Sequence, residues 1–231
     1  MNNKVDLKTL RIFPYFILAL FVGSIISMVA LCLILMLGNY AEMSSLLEST
    51  SEISMTYNVI EYLIICAIAT CLYRMFGINR WFRIAYYSAL TYMLGELIYA
   101  FAKWLDSLIM TTPMDILAAV LRLTPGIGVL LAIFYMLRGM TNIYKKMEKK
   151  KLEEETRKQE KLWLIAHLIF LVFSVILLPI IVLAKGPIVQ LSIMLFLSVV
   201  IYYVTVIIMV YVKTKNFCYD YYMYRYNSGE I

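Results

Sequence analysis

Long uninterrupted runs of apolar residues dominate the chain and predict its main elements. No charged residue occurs between Ile12 and Ala41, between Leu162 and Ala184, or between Gly186 and Val212. Each run reaches the roughly 20 residues that an α-helix needs to cross a hydrocarbon core about 30 Å thick. The pattern therefore predicts membrane-spanning helices over 13–38, 162–184 and 187–212.

Three further apolar segments carry isolated charges and are also typical of spanning helices: 57–73, 81–102 and 113–138. Of the 231 residues, 63% are hydrophobic and only 16% are charged, and the mean hydropathy is +0.81. Soluble domains are roughly 45–50% apolar and about 25% charged. We therefore expect an all-α polytopic membrane protein, a single domain over 1–231 with about six transmembrane helices.

The basic residues are distributed unevenly, and this predicts the orientation. All of the 21 lysines and arginines lie in the N-terminus, in 74–83, in 138–161 or in 213–225, except for Lys103, Arg122 and Lys185. Short cytoplasmic segments carry such an excess, so we expect both termini in the cytoplasm of a cell-membrane protein. The net charge of +6 then requires no nucleic acid, and membrane lipid becomes an expected partner.

Two hydrophilic segments follow the fourth and the sixth predicted helix. The connector, 139–161, contains KKMEKKKLEEETRKQEK, in which Glu153 and Arg157 form a favourable i,i+4 pair. We expect a helical cytoplasmic connector with one turn, which is either a solvated spacer or a docking surface for a partner protein. The docking alternative rests on Lys149, Lys150 and Lys151. The tyrosine-rich cytoplasmic tail, 213–231, is interpreted as an interfacial anchor or a partner-binding segment.

A polar stripe on the third predicted helix contains a carboxylate, Glu96, at membrane depth. Polar residues on a spanning helix face the bundle interior or a wet cavity. At about 1.5 Å per residue, neighbouring helices place Glu61 and Arg122 in the same outer layer. The sequence thus predicts either a structural Glu96–Arg122 ion pair or a ligand or ion pathway, whose candidate residues are Glu61, Tyr92, Glu96, Tyr99 and Arg122.

The stretch LRLTPGIG predicts a hinge in the fourth helix at Pro125, Gly126 and Gly128. Proline removes a helical donor and glycine loosens a turn, as in the broken helices of transporter sites, although kinks are also packing features. The single histidine, His167, is expected to be hydrogen-bonded within the bundle, with a proton-responsive role as the alternative.

Motifs of membrane enzymes are missing from the sequence. It contains no H-E-x-x-H, no G-x-S-x-G, no glycine-rich phosphate loop and no C-x-x-C pair. We therefore expect a non-enzymatic protein without cofactor or metal. The leading hypothesis is a ligand- or partner-binding subunit of a membrane complex in signalling, immunity or assembly, with another membrane or cytoplasmic protein as partner. The alternative is a small-solute or ion transporter that uses the outer polar layer.

Overall fold

The computed structural model describes residues 7–37, 43–109, 123–183 and 187–228. Within these ranges the chain forms six α-helices and no strand, which confirms the all-helical prediction. The helices are α1 (Leu7–Leu37), α2 (Met43–Arg74), α3 (Arg80–Ile109), α4 (Leu123–Lys146), α5 (Lys150–Leu183) and α6 (Pro187–Asn227).

The helices pack as a closed ring. Each helix contacts its neighbours in the chain, and α6 contacts α1 to complete the circle. Consecutive helices run in opposite directions, so α1, α3 and α5 begin where α2, α4 and α6 end. We call this the basic end of the bundle because the positively charged segments around residues 8–11, 74–83, 138–161 and 213–225 lie there.

Aromatic side chains fill the ring in the middle part of the bundle. Trp163 of α5 is fully buried, and its Nε1–H donates to the carbonyl oxygen of Leu130 on α4 over 3.0 Å. The ring of Tyr203 on α6 stacks on the same indole, with centroids 5.8 Å apart. The Tyr203 hydroxyl lies 2.7 Å from Nδ1 of His167. This contact confirms that His167 is hydrogen-bonded within the bundle.

Helices α3 and α4 approach each other closely at two glycines of α4. A Cβ atom built on Gly128 would lie 2.7 Å from the backbone nitrogen of Tyr92, and one on Gly139 would lie 3.2 Å from the Phe82 ring. Small residues permit such approach because nothing separates the two backbones. The higher-numbered glycine meets the lower-numbered residue of α3, so the two contacts hold α3 and α4 in antiparallel register.

Two helices of the described chain are long and apolar enough to cross a membrane, over Ile127–Lys146 and Leu191–Asn227. This supports a membrane location weakly, and the six-span bundle is not confirmed. Residues 38, 113–122 and 184 of the predicted spans lie outside the described residues. Large apolar side chains do point outward from the ring on several helices, among them Ile26, Leu63, Leu94, Val172, Met194 and Ile201.

The segment between α4 and α5 is a tight turn without glycine. Glu148 adopts a left-handed backbone with φ of 57°. The Lys149 N–H donates to the Tyr144 carbonyl and the Glu148 N–H to the Lys145 carbonyl, over 3.0 and 3.2 Å. These two bonds define a Schellman motif, which satisfies the terminal carbonyls of a helix. The single turn expected in the connector therefore lies at 147–149.

The connector is packed rather than solvated all round. In the first turns of α5, Thr156 and Gln159 are buried, and the Gln159 side-chain amide donates to the Val206 carbonyl on α6 over 3.3 Å. The segment after residue 212 remains helical to Asn227 and buries Phe217 and Cys218. The connector and the tail therefore belong to one helical projection at the basic end, formed by the first turns of α5 and by α6 after residue 212.

Candidate functional site

The predicted polar layer is described only in part. Tyr92 and Ile65 line a small apolar void of about 10 Å³ between α1, α2, α3 and α4. Glu61 lies one turn before Ile65, and Glu96 lies one turn after Tyr92. Because α2 and α3 are antiparallel, both carboxylates lie on the same side of the void, about 5 Å from its level. Both side chains are half-buried.

The other residues of that hypothesis are less fully placed. Arg122 lies outside the described residues, and of Tyr99, Pro125 and Gly126 only the backbone is described. Pro125 falls in the first turn of α4, where its missing N–H costs no helical hydrogen bond. Gly128 packs against the Tyr92 backbone. The pathway and hinge roles stay predictions.

The three lysines of the expected partner surface differ from one another. Lys149 Nζ lies 2.9 Å from Oδ1 of Asp220 on α6, and Oδ2 of the same carboxylate accepts the Tyr144 hydroxyl over 3.0 Å. Lys149 therefore ties the α4–α5 turn to α6. Lys150 and Lys151 are exposed.

A larger concavity opens at the basic end between α3, α4 and α5, and we call it the basic cleft. Its volume is about 660 Å³. Asn79 positions its first wall, because the Asn79 Oδ1 accepts the Trp81 N–H over 3.2 Å and caps the start of α3. The lining residues are Arg80, Trp81, Arg138, Thr141, Asn142, Lys145, Glu153, Arg157, Glu160 and Lys161.

Trp81 forms an aromatic wall of the cleft. Its ring lies nearly parallel to the ring of Tyr135, with an interplanar angle of 8° and centroids 5.8 Å apart. The guanidinium groups of Arg138 and Arg80 lie 4.8 and 5.0 Å from the indole centroid. Each distance is within the range of a cation–π contact. The indole therefore holds two arginines at the cleft.

The ion pairs of the cleft involve only some of its cations. Glu160 lies 3.5 Å from Arg138, and Glu153 lies 2.8 Å from Arg157, which confirms the predicted i,i+4 pair. Desolvation by burial raises the pKa of Glu160, although the Arg138 guanidinium acts in the opposite direction. The remaining cations, which form no ion pair among the described residues, are Arg80, Lys145 and Lys161.

The composition of the cleft is unbalanced in charge. Five cations face two carboxylates, and three of the cations remain uncompensated beside an aromatic ring. Arginine and tryptophan are enriched among the residues that contribute most of the binding free energy at protein interfaces. A comparison of the chain with protein-family models, with curated proteins and with solved structures finds no match. The class of site is thus defined by its own side chains, as a basic cleft with an aromatic wall on a helical bundle.

The basic cleft was not predicted from the sequence. Trp81 was interpreted as part of a spanning segment, and Arg138 and Glu160 as features of the orientation signal and the connector. The available signal was the adjacent pair of Arg80 and Trp81 beside a basic helix end. Its meaning depends on the rotation of α4 and α5 relative to α3, which local periodicity does not specify.

Proposed function

We propose that the chain is a six-span integral membrane protein with its basic end and both termini in the cytoplasm. The apolar runs of the sequence and the outward-facing apolar side chains support this proposal, because such surface is stable in lipid and costly in water. The uneven distribution of lysine and arginine supports the orientation.

Cysteine accessibility in intact cells tests the orientation. Single cysteines are introduced at Thr50 or Ser228 after the native cysteines have been replaced by serine. We expect an impermeant maleimide to label the first position from outside and the second only after permeabilisation. The reverse pattern would show that the basic end lies outside.

Within this membrane protein, we propose a non-enzymatic subunit that binds an acidic segment of a partner protein in the basic cleft. The single observation that carries this proposal is the set of uncompensated cations, Arg80, Lys145 and Lys161, around the Trp81 wall. An acidic segment would replace water around these groups with charge-assisted hydrogen bonds, which are stronger than neutral ones. The absence of known catalytic motifs supports a binding role rather than an enzymatic one.

Co-purification of partners in mild detergent tests the cleft. The test variant carries Arg80→Gln, Lys145→Gln and Lys161→Gln. The matched control carries Lys150→Gln, Lys151→Gln and Lys158→Gln, which removes the same charge from exposed positions that do not line the cleft. We expect only the test variant to lose its partner, and we expect the wild-type complex to dissociate as salt rises.

Each alternative outcome identifies a different error. Loss of the partner only in the control variant would mean that the docking site is formed by the exposed lysines Lys150, Lys151 and Lys158 instead of the basic cleft. Retention of the partner in both variants would refute binding through these charges. The comparison requires that the two variants have similar expression and thermal stability. We expect this because the substituted side chains are exposed.

A second candidate function, transport, is favoured by the placement of Glu61 and Glu96 on one side of the interior void. The void itself admits about one water molecule, so transport would require the helices to move apart. If the protein is a transporter, Glu96→Gln should abolish uptake into proteoliposomes while the basic-cleft variant transports normally. Uptake unaffected by Glu96→Gln would eliminate this candidate.

A further inference from the structure

A second concavity at the basic end lies where the ring closes, between α1 and α6. We call it the α1–α6 groove. Its volume is about 480 Å³, which is within the range of small-molecule sites. The lining residues are Lys8, Leu10, Arg11, Pro14, Tyr15, Tyr211, Lys215, Cys218, Tyr219 and Tyr222.

The groove has cations at its rim and apolar residues along its floor. Its cations are Lys8, Arg11 and Lys215, all exposed, and no carboxylate occurs among its described lining residues. Lys8 and Arg11 are three residues apart on α1 and are therefore neighbours on one face of that helix. Lys215 of α6 lines the same groove, so cations from two helices converge there.

Apolar residues form the floor of the groove, where Leu10, Pro14 and Cys218 are buried. Tyr15 and Tyr211 lie on the side of the cations that faces the middle of the bundle, and 60% of the Tyr15 surface is exposed. Tyrosine rings at such positions are typical of the boundary between water and hydrocarbon. The other two tyrosines, Tyr219 and Tyr222, follow Lys215 toward the C-terminal end of α6.

The groove also crosses the proposed membrane boundary. The predicted first span begins at residue 13 and the sixth ends at residue 212. Lys8 and Lys215 therefore lie on the water side of that boundary, whereas Tyr15 and Tyr211 lie at the hydrocarbon edge. A ligand that fits must carry an anionic group in the headgroup layer and an apolar part directly below it.

We propose that the α1–α6 groove binds one anionic phospholipid of the cytoplasmic leaflet. Its phosphate lies among Lys8, Arg11 and Lys215, and its glycerol and upper acyl carbons lie on Pro14, Tyr15 and Tyr211. Basic pockets between transmembrane helices on the cytoplasmic side are suited to such headgroups. This inference rests on the proposed membrane orientation but not on the partner-binding role of the basic cleft.

Lipid-dependent thermal stability of the purified protein tests the proposal. The full chain in neutral detergent is titrated with phosphatidylglycerol, with phosphatidylcholine or with inorganic phosphate. The groove variant carries Lys8→Gln, Arg11→Gln and Lys215→Gln. The matched control is the basic-cleft variant with Arg80→Gln, Lys145→Gln and Lys161→Gln, which loses the same charge at the same end of the bundle.

We expect phosphatidylglycerol to raise the melting temperature of the wild type and of the control more than phosphatidylcholine does. Each cation near the headgroup contributes roughly fivefold to affinity, so the groove variant should need on the order of 100-fold more phosphatidylglycerol. Native mass spectrometry should show one retained phosphatidylglycerol on the wild type and none on the groove variant.

Several outcomes would overturn the inference. An equal loss in both variants would mean that bulk charge, not the groove, attracts the lipid. An equal effect of inorganic phosphate would mean that the groove takes a free anion. Unchanged phosphatidylglycerol retention by the groove variant would place the lipid elsewhere. Because this experiment uses purified protein without a partner, its failure is distinct from a failed co-purification.

Discussion

The close contact between α3 and α4 at Gly128 allows a test of whether this glycine serves helix packing or only the hinge predicted from the sequence. A Cβ atom at this position would lie 2.7 and 2.9 Å from the backbone nitrogen and Cα of Tyr92. Carbon atoms in good contact are about 3.5–4.0 Å apart. The atoms of Tyr92 belong to a helical backbone and move only if the whole helix moves. The substitution Gly128→Ala must therefore push α3 and α4 apart by about 1 Å.

The expected magnitude follows from two opposing effects. Alanine in a helix interior is more favourable than glycine by about 1 kcal/mol. An added methyl group in a well-packed interface costs about 1–3 kcal/mol, and a clash with backbone belongs to the upper part of this range. We therefore expect Gly128→Ala to destabilise the protein by about 1–2 kcal/mol. For a chain of this size, that lowers the melting temperature by about 2–8 °C.

The assay is thermal unfolding in mild detergent, followed by tryptophan fluorescence. Gly139→Ala is the matched control, because its Cβ would meet only ring atoms of Phe82 at 3.2–3.3 Å, and a ring can shift. We expect its free energy of unfolding to stay within about 1 kcal/mol of wild type, since helix propensity and crowding offset each other. A higher melting temperature for Gly128→Ala would refute the packing argument and leave Gly128 only the hinge role predicted from the sequence.

Three further predictions concern single contacts. Trp163→Phe should destabilise the protein by about 1–3 kcal/mol, measured by thermal unfolding, because the hydrogen bond from the buried indole Nε1–H to the Leu130 carbonyl is lost. Hydrogen bonding and charge from Lys213 lower the pKa of Glu155. The pair therefore stabilises the fold fully at pH values above the ordinary pKa of glutamate, and this stabilisation is lost as the pH falls through the lowered pKa of Glu155. Lys213→Met should therefore raise the Glu155 pKa in a carboxyl NMR titration. Asp220→Asn should destabilise the projection by about 1–3 kcal/mol, measured by hydrogen exchange at 144–149, since it removes the charge that pairs with the α4–α5 turn.

Each of these predictions has a contrary result. Wild-type stability of Trp163→Phe would mean that the Leu130 carbonyl finds another donor. An unshifted Glu155 titration in Lys213→Met would mean that the ion pair does not form in solution. Unchanged exchange in Asp220→Asn would mean that the turn is held by its Schellman hydrogen bonds alone.

Local features of the structure were predictable because they depend on neighbouring residues. Long apolar runs led to the all-helical fold, since an apolar segment without breakers satisfies its backbone internally as a helix. The Glu153–Arg157 pair followed from i,i+4 spacing. The turn at Glu148 was expected to exist, but its position was hidden because a left-handed residue there is usually glycine, and the segment contains none.

The candidate sites depend on the tertiary structure. The α1–α6 groove exists only because the ring closes, which brings Arg11 beside Lys215 from opposite ends of the chain. The basic cleft likewise requires that Arg138 be rotated over Trp81. Sequence periodicity specifies which face of a helix is apolar, but not which helix lies opposite or at what height. The sequence by itself therefore determined the helices and the uneven charge of their ends, whereas packing alone decided which charges of the described residues form ion pairs and which line the basic cleft and the α1–α6 groove.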